Sequence, residues 1–176
     1  SGGLVTVNMG NVDGETAMRV SGSSNNVTFT GQASIVDLEL QYNSAGDVTV
    51  THNASVVVGT ADSMTVKTTD AANGAVSLVG IETVNIENAG VSTIATLTTT
   101  SAATLNVSGS GTLTLSNIDD ASLTVNMANF SGTSTVDGMV ATGNVAFTGG
   151  SGKDTINFDG LTKDDTIDGG DGADAL

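Results

Sequence analysis

Between Leu105 and Phe158, a pair of apolar residues separated by one other residue returns about every eight to eleven positions. Leu105 and Val107, Leu113 and Leu115, Leu123 and Val125, Val145 and Phe147, then Ile156 and Phe158 form the series, with a weaker member near Val136. Period-two alternation puts each pair on one face of a strand. A hairpin-rich sandwich and a solenoid both give such spacing. Asn-Gly and Asp-Gly turns, the strongest short-range hairpin signal, are few here. Bends of small polar residues follow the strands instead, as at "SGSG" 108–111 and "NIDD" 117–120. The pattern predicts a parallel β-solenoid over 101–148, with Leu105, Leu113, Leu123, Val145, Ile156 and Ile167 pointing inward.

Residues 1–100 alternate too, at Ile35, Val36, Leu38 and Leu40, at Val48 and Val50, and at Ile81, Val84 and Ile86. Their spacing is less even, and this β-rich segment is either more solenoid or a separate sandwich. Thr and Val dominate, and branching at Cβ suits both to a pleated, half-buried surface. No window carries a capped helical stripe; short helices or turns fit only at 69–76 and 117–121. The fold class is all-β.

Composition narrows the partners. Nineteen Asp and Glu stand against four Lys and Arg, a formal charge of −15. That balance argues against nucleic acid and anionic membrane surfaces, and for cations. No apolar run approaches a membrane span. Cys and Trp are absent and aromatics make up 3% of residues, which excludes disulfides and suits a narrow core of small aliphatics. Acidic, aromatic-poor chains are often disordered, but the alternation argues against that here.

The chain closes on a repeated loop. Gly149-Gly150-Ser151-Gly152-Lys153-Asp154-Thr155-Ile156-Asn157 and Gly169-Gly170-Asp171-Gly172-Ala173-Asp174-Ala175-Leu176 follow one template. A weaker copy from Gly160 to Asp168 keeps Asp165 and Ile167 but has Leu161 at the second glycine position. Glycines let a turn direct several carbonyls inward, the Asp adds a carboxylate, and the aliphatic plugs the core. Such oxygen donors suit Ca²⁺, which takes six to eight of them. With nine residues per half-coil, a full coil is eighteen. Positions 149 and 169 are then one coil apart if Phe158 and Asp159 interrupt the register, and Asp154 and Asp174 share one ion. The Asp165 loop falls on the opposite side, where its partner at 142–147 has no Asp.

These two loops match the glycine- and aspartate-rich nonapeptide of RTX proteins, a calcium-binding β-roll repeat. The match covers 149–176. Upstream, "VGIETVNIENAG" (79–90) and its Thr-, Val-, Asn- and Ala-rich surroundings resemble the repetitive body of bacterial surface-layer proteins of the Caulobacter type. The resemblance implies a type I-secreted, extracellular structural segment, assembled with copies of itself into a two-dimensional lattice in a Ca²⁺-dependent way. A cell-surface polysaccharide, held by another part of a longer chain, is a further implied partner. Carried over by position, the ligands are the carboxylates of Asp154 and Asp174 and the carbonyls of Gly149, Ser151, Gly169 and Asp171, with Asp165 in the degenerate loop. A type I-secreted adhesin and the calcium-folding C-terminal module of a secreted RTX enzyme are the alternatives. An uncleaved secretion signal would lie downstream.

No nucleophile, base and acid converge in the sequence, so no enzyme activity is expected. His52, the single histidine, reads as a surface or turn residue. Asp119-Asp120 and Asp13-Gly14-Glu15 are either solvated turn acids or further cation sites. Lys153 and Lys163 soften repulsion among the loop acids. Glu82 reads as a rim or ladder residue. The Asn sequons at 26, 53, 106 and 129 are what a Ser- and Thr-rich chain contains by chance.

Overall fold

A computed structural model of the chain describes residues 3–99, 103–120, 123–141 and 143–176. Its strands run in chain order from Leu4–Asn8 (β1), Ala17–Ser21 (β2), Asn26–Gln32 (β3) and Asp37–Gln41 (β4) to Val48–His52 (β5), Ser63–Thr69 (β6), Ala72–Leu78 (β7) and Thr83–Ala89 (β8). Then come Val91–Thr99 (β9), Ala103–Gly109 (β10), Thr112–Ser116 (β11), Ile118–Asp120 (β12) and Leu123–Phe130 (β13). Thr133–Ala141 (β14), Val145–Thr148 (β15), Asp154–Phe158 (β16) and Thr166–Asp168 (β17) complete the order.

Strands alternate between two parallel sheets. One holds β1, β3, β5, β7, β9, β11, β12, β14 and β16; the other holds β2, β4, β6, β8, β10, β13, β15 and β17. Each pass through both sheets is one coil, and about seven coils stack into a β-solenoid. β11 and β12 share a rung, split at Asn117, whose φ is +55°. The segments at 69–76 and 117–121, where short helices or turns were the open readings, contain the start of β7 and the whole of β12. Both ladders run through the described residues from Leu4 to Thr99, so that part is solenoid rather than sandwich.

Alternation within strands becomes columns between them. In the first sheet, Ile94, Leu115, Val136 and Ile156 stack on successive rungs. In the second, Met18, Leu38, Val66, Ile86 and Val107 do the same. All nine are almost fully buried. The two inner faces cover each other, which is how an all-parallel sheet avoids needing helices. Leu105, Leu113, Leu123 and Val145 are buried as expected, and Ile167 is partly buried against the same core.

The coil length differs from the expectation. Apart from Met139 and Phe158, nineteen apart after a register shift, rung partners in the ordinary coils lie twenty to twenty-two residues apart, as in Ala17 opposite Asp37 and Leu4 opposite Asn26. One coil is longer: Val48 pairs with Val76 and Leu38 with Val66, twenty-eight residues on. The extra length is the loop 53–62 between β5 and β6. Phe158 therefore interrupts nothing. It pairs with Met139 and packs edge-on against Phe147, with ring centroids 5.9 Å apart.

Candidate metal centre

The two glycine loops stack at the corner where the chain passes from the second sheet back to the first. Ser151 N donates to Phe130 O at 3.0 Å, and Asp171 N donates to Gly150 O at 3.0 Å. The corner has a steric rule of its own. Gly90, Gly111, Gly132, Gly152 and Gly172 form a column, one per coil. From Gly111 onward, a Cβ on any of them would collide with the carbonyl oxygen of the glycine one coil earlier. At Gly90 it would collide with the Asp70 carboxylate, which accepts Val91 N at 2.9 Å. The fourth-position glycine of the loop template thus continues a packing requirement of three upstream coils.

The template's aspartate continues a core column. Ser92, Leu113, Ser134 and Asp154 occupy the same inward position on successive rungs, and Asp174 follows. Asp154 is fully buried. Its Oδ1 accepts the Ser134 hydroxyl at 2.6 Å and its Oδ2 accepts Gly150 N at 2.8 Å. Asp174, partly exposed, accepts Asp154 N at 2.9 Å through Oδ1. The two aspartates lie one coil apart on the same side, as the loop spacing predicted, because twenty residues are simply one full coil.

Adjoining Asp154 through Gly150 lies a groove of about 370 Å³ lined by Ala128, Thr148, Gly149, Gly150, Ser151, Asp168, Gly170 and Asp171, and neither Asp154 nor Asp174 is among its lining residues. Its donors are carbonyls, hydroxyls and two carboxylates, an oxygen-only set of the kind hard divalent cations take. Each Asp154 oxygen accepts one hydrogen bond, and a carboxylate has about four lone-pair sites, so capacity for a cation remains. In donor chemistry the residues fit Ca²⁺. Among the described residues no three His, Cys, Asp or Glu cluster closely enough to hold a metal alone, so main-chain oxygens would have to complete the site. Gly149, Ser151 and Asp171 line the groove, and the Gly169 carbonyl abuts Gly149. Asp168 and Thr148 were not singled out from the sequence. Asp168 lies directly before the second Gly-Gly pair, a position the template does not score.

Asp165 sits apart, ahead of β17 in the second sheet. Its Oδ2 accepts Thr162 N at 2.6 Å and its Oδ1 accepts Val145 N at 2.8 Å. Those backbone bonds, Thr162 first and Val145 next, hold its carboxyl below the ordinary value. It clips one coil to the previous one. Glu82 does likewise, accepting Asp62 N at 2.9 Å. Lys163 pairs with Asp164 at 2.7 Å. Asp13 is exposed and Glu15 half-buried, while the side chains of Asp119 and Asp120 lie outside the described part.

His52 corrects a reading. It is 6% exposed, pointing inward at the end of β5, where the loop 53–62 begins. Burial pushes its imidazole below the ordinary value, and the charge of Asp62 pulls the other way.

No protein-family model, curated protein or solved structure matches the chain.

Proposed function

We propose that this chain is a structural segment of a secreted bacterial surface-layer protein whose folding and lattice assembly depend on Ca²⁺. The observation that supports it most is the stacking of Asp154 and Asp174 one coil apart, with an oxygen-lined groove adjoining Asp154 through Gly150. Bound there, calcium would supply positive charge to a segment carrying −15. The residues do the rest. The glycine column lets the corners approach, Ser134 and Gly150 N hold the Asp154 carboxylate in one orientation, and Asp154 N holds that of Asp174. Extracellular calcium is near the dissociation constants of about 10⁻⁴–10⁻³ M typical of extracellular modules. Binding to the folded form alone shifts the folding equilibrium. A chain kept loose by its own charge inside the cell would set rigid outside.

Calcium titration by calorimetry, with urea unfolding alongside, tests the site. Without calcium, Asp154→Ala should lower stability by about 2–5 kcal/mol, because a buried hydroxyl and a buried amide lose their acceptor. Asp154→Asn keeps an acceptor and should fold better while still losing calcium affinity. Asp154→Asn and Asp174→Asn combined should weaken binding little more than one alone, since they would disable one ion. Additive losses at two separate sites would contradict the shared ion. Electron microscopy of the full-length protein with calcium separates the classes: ordered sheets favour a surface layer, dispersed filaments an adhesin.

A further inference from the structure

At −15, copies of this chain repel one another, so a contact between them needs a face where charges cancel. The outer face of the second sheet has such a place across β2, β4, β6 and β8. Arg19, Glu39, Lys67 and Glu87 are register partners on these four successive rungs. They form one outward column of signs +, −, +, −, with a rung spacing of about 4.8 Å. The column holds the chain's single arginine.

Two of its members stay available to a partner. Arg19 Nε donates to Glu39 Oε2 at 2.6 Å, yet the arginine side chain is still 61% exposed. Glu87 is exposed and, among the described residues, has no ion-pair partner, since Lys67 on the rung before donates to Asp37 Oδ2 at 2.6 Å. Glu87 lines a groove of about 400 Å³ together with Asn85, Asn106, Ser108 and Asn126. A polar groove with one unpaired carboxylate suits a guanidinium, which carries five donors and pairs with carboxylates in a fixed fork.

Reversing a +, −, +, − series gives −, +, −, +. A second copy laid face to face about a twofold axis midway between Glu39 and Lys67 therefore sets Arg19 opposite Glu87 and Lys67 opposite Glu39, each pair twice. Asp37 is the one other charged residue in the four strands, and it falls opposite the neutral Thr69. No like charges are opposed.

We propose that this face pairs with its own copy, Arg19 of each chain entering the groove beside Glu87 of the other. The proposal deepens the surface-layer reading and rests on it, since it names a face through which copies meet. Four rungs of five- to seven-residue strands cover roughly 400 Å² a side. A complex stable by itself buries about 800 Å² a side, so one such contact is weak and an array multiplies it.

The test is sedimentation equilibrium of the concentrated whole chain with CaCl₂ in about 0.15 M salt, which screens repulsion beyond about 8 Å and spares contact pairs. Wild type should dimerise. Glu87→Arg makes the chain less negative, so general repulsion alone would tighten association. The paired face instead predicts association at least about tenfold weaker, because like charges then meet twice. Adding Arg19→Glu restores opposite signs and should restore dimerisation. Cross-linking reads the geometry with every charge kept, since the same axis sets Ser21 opposite Asn85. The chain has no cysteine of its own, and these two positions are three rungs apart within it, beyond the reach of a short bismaleimide. Ser21→Cys combined with Asn85→Cys should give a closed dimer joined 21-to-85. A monomeric wild type, tighter association of Glu87→Arg, or links joining like positions would overturn the proposal. Ordered sheets from full-length protein carrying Glu87→Arg would sink this pairing and leave the surface layer standing. Pairing without sheets from the full-length wild type would do the reverse.

Discussion

His52 illustrates how a single residue makes stability depend on pH. Its imidazole is held below the ordinary value of 6.5, chiefly by burial. As pH falls below that value the unfolded chain takes up a proton that the folded chain resists, so the unfolded state is favoured. Stability should therefore rise with pH below the ordinary imidazole value and level off above it. Asp62 reduces the effect without reversing it. Urea unfolding across that range, in metal-free buffer, should show this slope in the wild type and a flatter one in His52→Leu. An unchanged slope would mean that His52 titrates normally in the folded state.

Within elements, the corner glycines are more restrictive than the strands they join. Gly132 has no positive φ, so its requirement is packing alone. A Cβ there would lie 2.7 Å from Gly111 N and 2.8 Å from the Phe130 ring, and closer still to the Gly111 carbonyl. Gly132→Ala should cost about 2–4 kcal/mol, because coils stacked through hydrogen bonds cannot part to admit it. Gly14 offers the contrast. Nothing lies within 4 Å of its added Cβ, but its φ is +80°. Gly14→Ala should cost only the left-handed backbone penalty, about 1–2 kcal/mol. Thermal and urea unfolding of the two variants separates these causes. A Gly132→Ala cost no larger than that of Gly14→Ala would show that the coils part to admit the methyl and that contact does not govern the corner.

Across the whole molecule, each coil touches only its neighbours, so stability is a chain of interfaces. The middle coils are covered on both sides, and Val66, Val76, Leu78, Val84 and Ile86 are 0% exposed. In β1, Leu4 is 69% and Val5 42% exposed, and β17 has no buried residue. Amide hydrogen exchange should be slowest in β6 to β9 and fastest in β1 and β17, graded coil by coil. Calcium should slow exchange first from Gly149 to Asp174. Uniform protection from end to end would indicate one all-or-none unit and contradict the nearest-neighbour picture.

Alternation at Leu105–Val107 or Leu113–Leu115 is a local property, and pleating turns it into an inward column wherever the strand sits. The β class, the inward residues and the common side of Asp154 and Asp174 were accordingly legible in the sequence. The coil length was not. It is set by hydrogen bonds between residues about twenty apart, such as Ser151 N to Phe130 O and Asp171 N to Gly150 O at the corner, and none of these residues carries a local mark that distinguishes twenty from eighteen. Gly152 reads as loop flexibility until Gly132 is placed beneath it. His52 reads as a surface residue until β5 is set in the stack, where the side chain turns inward and is buried. Which polar side chains are buried, and what they lack there, is decided only when one coil is laid on another.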